Sequence, residues 1–271
     1  MSLRLVPDEL WELAEPLLPE FRARPQGGGV SPVDQRAVFT AVVYVLTSGC
    51  AWRMLPPSFG VTVPTAHRRF TVWTKAGVWR RLHRAVLDEL GAAGLIDWSR
   101  AVVDGASMRA KKGGGLTGPN PTDRGKPGSK LHVLTDRAGV PLSVAISGAN
   151  VHDSQALKPL VKAIPAVRSR RGPRRRRPVK LHADKAYDQP ELRRWLRRRG
   201  IAVRIARRGI ESTERLGRHR WVVERTISWL TGYHRLAIRY ERKGTHYLGF
   251  LTLAAALTGF KKLAKAKTTP M

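Results

Sequence analysis

The sequence predicts an α/β protein in which a mixed sheet with covering helices, residues 98–271, follows an all-helical region, residues 1–92. Three observations carry that reading. Residues 7 to 90 place their apolar side chains at helical spacing, without a run that alternates as a strand does. From Arg100 the period changes, and two short apolar runs, Ala101-Val102-Val103 and Val179 to Ala183, each end in a carboxylate, Asp104 and Asp184. Beyond them strand-like and helix-like segments alternate, the pattern of a layered α/β domain.

The charge balance narrows the class of partner. Fifty Lys and Arg against twenty Asp and Glu leave a formal charge of +30 on 271 residues, and the basic side chains are spread along the whole length. Such a chain needs a polyanion to offset its self-repulsion, and nucleic acid is the expected one. An anionic membrane would call for an apolar anchor. The most apolar runs, Ala37 to Leu46 and Leu248 to Leu257, are well short of the ~20 residues that span a bilayer. The first residues, Met1-Ser2-Leu3-Arg4, lead into acids and a proline, not into the apolar core of a signal peptide. The expected location is cytoplasmic and nucleoid-associated. A single cysteine, Cys50, excludes an internal disulfide or a cysteine-based zinc site and is expected to be a small buried hydrophobe.

The elements follow in order. Pro7-Asp8-Glu9-Leu10-Trp11 opens a first helix with acids in its first turn, where the helix dipole favours them. Gly27-Gly28-Gly29 is a break, and Ser31-Pro32 supplies an N-cap and first-turn proline for a helix reaching about Leu46. After Pro56-Pro57, a helix from Val63 carries Phe70 and Trp73 on one face and His67, Arg68, Arg69 and Lys75 on the polar side. It continues past Gly77 into Val78 to Leu90. Short helices with a basic one among them resemble a helix-turn-helix arrangement, whose second helix enters the major groove. The plainer reading is a helical bundle with a solvated basic face.

The strand ending at Asp104 is followed by a glycine- and proline-rich stretch, Lys111 to Gly128, expected to be a mobile loop. Leu131 to Thr135 and Pro141 to Ile146 flank Asp136-Arg137-Ala138-Gly139 as a β-hairpin. Asp153 precedes a helix from Gln155 to Ile164 and reads as its N-cap in preference to a catalytic acid. Seven arginines between Arg168 and Arg177 form a flexible phosphate-contacting loop or, more plainly, a solvated one. The strand ending at Asp184 comes next, then a helix with Pro190 in its first turn, then a fifth strand from Ile201 to Ile205. A helix from Arg220 places Val223, Thr226, Ile227 and Leu230 on one face and carries Glu224. A last apolar helix over 246–263 packs on the sheet.

Three strands, helix, strand, helix, strand, helix is the order of the ribonuclease H-like fold. There, neighbouring strands carry two acids and a later helix brings a third. Here Asp104 and Asp184 stand 80 residues apart, and Glu224 follows 40 residues later. Phosphodiester hydrolysis or transfer suits such a set. Two divalent ions roughly 3.5–4 Å apart can clamp the attacking and leaving oxygens, and Mg²⁺ prefers hard oxygen ligands.

Five segments carry a family resemblance: Val103-Asp104-Gly105-Ala106-Ser107, Gly128 to Asp136, Asn150-Val151-His152-Asp153-Ser154, Ala183 to Asp188, and Arg220-Trp221-Val222-Val223-Glu224-Arg225. With the helical stretch through Ala51-Trp52-Arg53-Met54-Leu55-Pro56 and Thr71-Val72-Trp73, the chain resembles the DDE transposases of bacterial insertion sequences, families five and four. The resemblance implies a ribonuclease H-like catalytic domain with Asp104, Asp184 and Glu224 as catalytic and metal-binding acids. Mg²⁺, or alternatively Mn²⁺, would be the cofactor. It also implies double-stranded DNA as partner, at the element ends and at the target, and a homodimer as the active form. His67, Arg68, Arg69, Lys130, Lys185, Arg220 and Arg225 are the expected DNA contacts. The family's Tyr-x2-Arg-x3-Glu-x6-Lys signature keeps Arg220 and Glu224, but Gly217 stands for the Tyr and Thr231 for the Lys, with Arg225 and His219 nearby as replacements.

Each acid retains a bland reading: Arg220 and Glu224 as a surface ion pair worth ~0.3–0.5 kcal/mol, Asp104-Gly105 as a turn. Asp188 and Asp153 stand next in line as site acids. The rival functions are an inactive DNA-binding descendant of a transposase, a ribonuclease H-type nuclease and a basic RNA-binding protein.

Overall fold

In the computed structural model, which describes residues 5–20, 33–207 and 213–268 (213–219 by backbone alone), the two acid-ending runs become adjacent strands of one sheet. Strand β1 (Ala101–Arg109) lies at its centre. On one side it pairs antiparallel with β3 (Pro127–Asp136), which pairs antiparallel with β4 (Pro141–Gly148). On the other side it runs parallel to β5 (Lys180–Ala183), and β5 runs parallel to β6 (Ala202–Ile205). The short β2 (Gly118–Pro119) extends the outer edge of β3. Mixed pairing of this kind follows from connectivity: β3 and β4 join through a tight turn, whereas β5 and β6 are reached through helical crossovers. The Asp136 carboxylate secures that turn by accepting hydrogen bonds from Ala138 N (2.9 Å) and Val140 N (2.7 Å).

The N-terminal region contributes α1 (Asp8–Ala14), α2 (Gln35–Ser48), α3 (Val63–Lys75) and α4 (Val78–Ala92). Phe39, Phe70, Trp73 and Trp79 interlock there as tilted and edge-on rings, the geometry the ring quadrupole favours. Between α3 and α4 the chain turns at Gly77, whose φ of 72° is open to glycine without strain.

The sheet is covered by α5 (Ser154–Ala163), α6 (Pro190–Arg198), α7 (Thr213–Thr231) and α9 (Gly244–Thr268), with the single turn α8 (His234–Ala237) between the last two. Helix α9 packs on both β4 and α4, and Phe250 stacks on Phe70 at 4.3 Å between ring centroids. One continuous hydrophobic cluster therefore runs from α1 to the sheet. Among the described residues no helix is long and apolar enough to cross a membrane.

Several expectations need correction. Ser31-Pro32 and the Gly27–Gly29 break lie outside the described residues; α2 begins at Gln35, and Asp34 caps it by accepting from Arg36 N and Ala37 N. The Lys111–Gly128 stretch is not a free loop. The Arg239 guanidinium donates to Gly115 O (2.5 Å) and Leu116 O (3.0 Å), and β2 is zipped to β3. Long-range donors supply what local periodicity lacked. Asp153 occupies the N-cap position of α5 but makes no side-chain cap hydrogen bond, because its carboxylate turns toward Lys130. The arginine loop is tied down by a two-way bridge between Val167 and Arg175 and by Asp88, which accepts from Arg168 N and Arg174. Cys50 is half-buried, not buried, with its carbonyl accepting from Arg235 at 2.7 Å.

Candidate active site

Asp104 and Asp184 come together because β1 and β5 are parallel neighbours. The register pairs Val102 with His182, so Asp104, inside β1, which runs on to Arg109 and does not end there as expected, lies level with Asp184, the residue just after β5. That level is the carboxyl end of β5, where open α/β sheets place their ligands. Asp104 is nearly buried, and its Oδ1 accepts from Gly105 N at 2.8 Å. Asp184 leaves β5 in extended conformation and folds its side chain onto the next turn, accepting from Ala186 N at 2.9 Å.

The third acid arrives on α7, which packs on β1 and β3 through Val223, Thr226 and Leu230, all fully buried. One turn before Glu224 stands Arg220, whose Nη2 lies 3.1 Å from Asp104 Oδ2 and 3.3 Å from Glu224 Oε1. A single guanidinium thus joins the strand acid to the helix acid. Burial raises the Asp104 pKa above its ordinary value, Arg220 and the Gly105 N–H pull it back, and Asp184 adds to the rise. Burial works against the Arg220 cation, but Asp104, then Asp184 and Glu224, outweigh it and hold its pKa above the usual guanidinium value.

Further polar groups surround the acids. Lys130 on β3 donates to Val151 O (2.9 Å) and pairs with Asp153 Oδ1 (3.2 Å). His132 is fully buried with Nε2 2.8 Å from Ser147 Oγ, and burial holds its pKa down to about 4, so the ring is neutral. Its Nδ1 and Asp153 Oδ1 both face the bare backbone of Gly105: a Cβ built there would meet them at 3.0 and 3.5 Å. Tyr187 is buried among the same acids, and burial, then Asp153, Asp104 and Asp184, push its hydroxyl pKa up.

The donor chemistry fits a hard divalent cation. Asp104, Asp184 and Glu224 offer hard carboxylate oxygens, and the buried Tyr187 hydroxyl and His132 Nδ1 have no hydrogen-bond partner among the described residues. A buried polar atom left so is costly unless a ligand or water completes it. Among the described residues no three His, Cys, Asp or Glu form a ready-made ligand cluster; the acids converge on the Arg220 cation instead. A metal bound by them would take over the counter-charge that Arg220 supplies.

The other expected DNA contacts are scattered. On α3, His67 and Arg68 are exposed and Arg69 half-buried. His67 packs edge-on against Trp52 and His246, and burial, then Lys243 and Arg235, hold its pKa low. Lys185 lies in the turn after Asp184. Arg225 is not a free cation: its guanidinium is sandwiched between Trp221 and Trp229, 4.6 Å from each ring centre, and donates to Ala138 O at 3.3 Å. Thr231 donates to Ile227 O at 3.1 Å and carries no charge to replace the Lys it stands for. The side chains of Gly217 and His219 lie outside the described residues. Sequence reasoning does not single out His132 or Tyr187, and it prefers a cap for Asp153 while keeping it in reserve as a site acid. All three fall within the motifs that carry the resemblance, which is the signal that points to them.

A sheet whose antiparallel and parallel halves meet at an acid-bearing central strand, with a third acid on a covering helix, has the architecture of the ribonuclease H-like polynucleotidyl transferases. Comparison with known proteins narrows this. Residues 6–83 match a family described as a putative transposase of the IS4/5 family, and residues 95–258 match the transposase DDE domain. The chain belongs to the DDE transposases of insertion sequences, enzymes that carry out metal-dependent DNA cleavage and strand transfer. It is 48% identical over 150 residues to the putative transposase for insertion sequence element IS402 of Burkholderia cepacia, covering 55% of this chain and 71% of that protein. Over 135 residues it is 27% identical to the putative transposase for insertion sequence element IS6501 of Brucella ovis, covering 48% of this chain and 95% of that protein. Among solved structures it is similar to the piggyBac transposase in its synaptic complex with hairpin DNA. The identity is 10% and the TM-score 0.45, over 99% of this chain and 76% of that one, a likeness too distant to bear on individual residues.

Proposed function

We propose that Asp104, Asp184 and Glu224 are the catalytic acids of this transposase and that together they hold the divalent metal, Mg²⁺ in the first instance with Mn²⁺ as substitute. The observation that carries this reading is the Arg220 bridge between Asp104 and Glu224, with Asp184 delivered beside Asp104 by the parallel register. When bound, the metal supplies Lewis-acid stabilisation of the charge that develops on the phosphate oxygens. The chain's own residues position that chemistry. Lys130 and neutral His132 brace Asp153 behind Gly105, and the hydrophobic seat of α7 holds Glu224 over the sheet. Arg220, released from the acids, is placed to donate to a non-bridging phosphate oxygen, for which its planar fork is suited.

In the same proposal residues 1–92 recognise the element ends through the polar face of α3, with His67 and Arg68 exposed and Arg69 half-buried beside them, and residues 98–271 catalyse. Lys185 is a backbone contact beside the cleavage point. Arg225, held between two indoles, shapes the surface. The active form is a homodimer bringing two ends together, associated with the nucleoid.

The test is cleavage and joining of labelled duplexes carrying the element's own ends, with Mg²⁺, Mn²⁺ or EDTA, for wild type beside Asp184→Ala. Metal-dependent joining by the wild type, reduced at least ~10³-fold in the variant, is the expected result for loss of a metal-holding acid. Joining that survives in Asp184→Ala would refute the assignment of that acid. Cutting without joining would favour a nuclease.

A further inference from the structure

We propose a second DNA-binding surface, separate from the cleavage site, in the cleft formed by Arg174–Arg177 and Arg197–Arg199, and that its ligand is the phosphodiester backbone of a DNA duplex. This rests on the chain acting on DNA as set out above.

The cleft has a volume of about 840 Å³, and its remaining lining residues are Val161, Gly200 and Ile201. No carboxylate lines it among the described residues. Of the nearby acids, Asp88 pairs with one cleft arginine, Arg174, at 2.8 Å, and Glu191 is committed to Lys158. Seven guanidinium groups therefore share one concavity, and all seven side chains are exposed. A solvated charged loop would leave such groups to splay apart. Here Arg174–Arg177 and Arg199 are held in place. Arg176 donates to Lys162 O at 3.0 Å, and Arg177 donates to Arg199 O at 3.2 Å. Arg175 lies over the Trp98 ring and Arg199 over the Trp195 ring, at 5.8 and 4.5 Å.

The means of ordering matters. Asp88 neutralises Arg174, but main-chain carbonyls and indole faces orient Arg175, Arg176, Arg177 and Arg199 without neutralising them. A guanidinium carries five N–H donors, so one or two internal bonds leave most of the fork directed outward. Like charges gathered this way repel until a polyanion arrives. A duplex presents one negative charge per ~1.7 Å of axis, which matches a broad open row of arginines better than a single phosphate would.

The location sets this surface apart from the acids. Arg174–Arg177 precede β5, and Arg197–Arg199 precede β6, so the cleft opens at the amino ends of the parallel strands. Asp184 follows the last residue of β5. Four strand residues at about 3.3 Å each put roughly 13 Å of sheet between the two places. DNA engaged here is either the flank of the cleaved duplex, bent around the sheet edge, or a second duplex. The chemistry of recognition is the same in both.

The experiment compares wild type with Arg197→Gln/Arg198→Gln and with Arg197→Glu/Arg198→Glu, on a short duplex ending at the cleavage point and on one with a long flank. Affinity is read by fluorescence anisotropy across a salt series, and fold by circular dichroism. For each phosphate no longer neutralised, the slope of log K against log salt falls by about 0.9. The expected result is a fall of up to about 2 in the Gln variant and a larger loss of affinity in the Glu variant. Both effects are expected on the long duplex, with binding and cleavage of the short duplex unchanged. If the loss appears only when a second duplex is added to a preformed short complex, that second duplex is the ligand. An unchanged slope overturns the proposal, and so does an equal loss on short and long duplexes. Failure of wild type to cleave any duplex would count against the catalytic reading while leaving the binding comparison intact.

Discussion

Replacing Arg239 with methionine tests how the β1 edge is held. The side chain is completely buried, and its guanidinium donates to Glu241 O (2.8 Å), Leu116 O (3.0 Å), Gly115 O (2.5 Å) and Ser129 Oγ (2.5 Å). Its backbone also bridges to the end of β1, where Arg239 N donates to Arg109 O and Lys111 N to Arg239 O. Arg239 thus ties the 111–128 segment and β3 to the segment between α8 and α9. Arg239→Met keeps the apolar stem but strands the Glu241 and Gly115 carbonyls, while Leu116 O keeps its hydrogen bond from Ser129 Oγ at 2.7 Å. Each such buried group costs about 1–3 kcal/mol when left unpaired. The Gly115 carbonyl lies near the surface and can reach water once the loop loosens, so the full sum is not incurred. A loss of about 2–4 kcal/mol is expected, from two stranded carbonyls at about 1–3 kcal/mol each with partial relief by water. That is a large part of the ~5–15 kcal/mol available to a domain. Urea unfolding followed by tryptophan fluorescence measures it, and amide hydrogen exchange locates it. Protection in 111–128 should fall first. A change below about 1 kcal/mol, or exchange that rises uniformly, would refute the reasoning.

Two further outcomes follow from single positions. A Cβ at Gly91 would lie 2.0 Å from Arg168 O and 2.7 Å from Val167 Cγ1. Gly91→Ala should therefore prise the arginine loop from α4 at a cost of about 1–3 kcal/mol, read as a lower Tm; an unaltered Tm would show that the loop yields freely. His83 is buried, 2.8 Å from Pro141 O, and burial holds its pKa down to about 4 against 6.5 for an exposed ring. Between those values the unfolded chain binds a proton that the folded chain does not. Stability contributed at neutral pH is accordingly lost as pH falls from 6.5 toward 4, by roughly 3 kcal/mol. Urea unfolding at several pH values should show a shallower acid loss in His83→Gln; superimposable pH profiles would exclude His83 as the source.

The sequence by itself determined the class of the fold and pointed to Asp104, Asp184 and Glu224 as candidate acids. Short apolar runs followed by Asp104 and Asp184 are local signals, because strand periodicity is written in neighbouring residues; the strand expected to end at Asp104 instead runs on to Arg109, held by its pairing with β3. The same holds for the amphipathic face that seats Glu224 and for Pro190 opening α6, whereas the helix expected to continue past Gly77 is broken there into α3 and α4. Tertiary structure decided everything that depends on residues far apart in the chain. It placed Arg220 between Asp104 and Glu224, 116 residues apart for the first pair, and turned Asp153 from a helix cap into a neighbour of the site. It gathered two arginine segments, each ordinary as a charged loop or a helix end, into one cleft. It also ordered the 111–128 stretch through Arg239, which no local pattern foretells. The physical reason is the same throughout. Periodicity reports which face of an element is apolar, whereas a charged side chain takes its partner from whichever distant backbone or carboxylate the packing of those faces brings within about 3 Å.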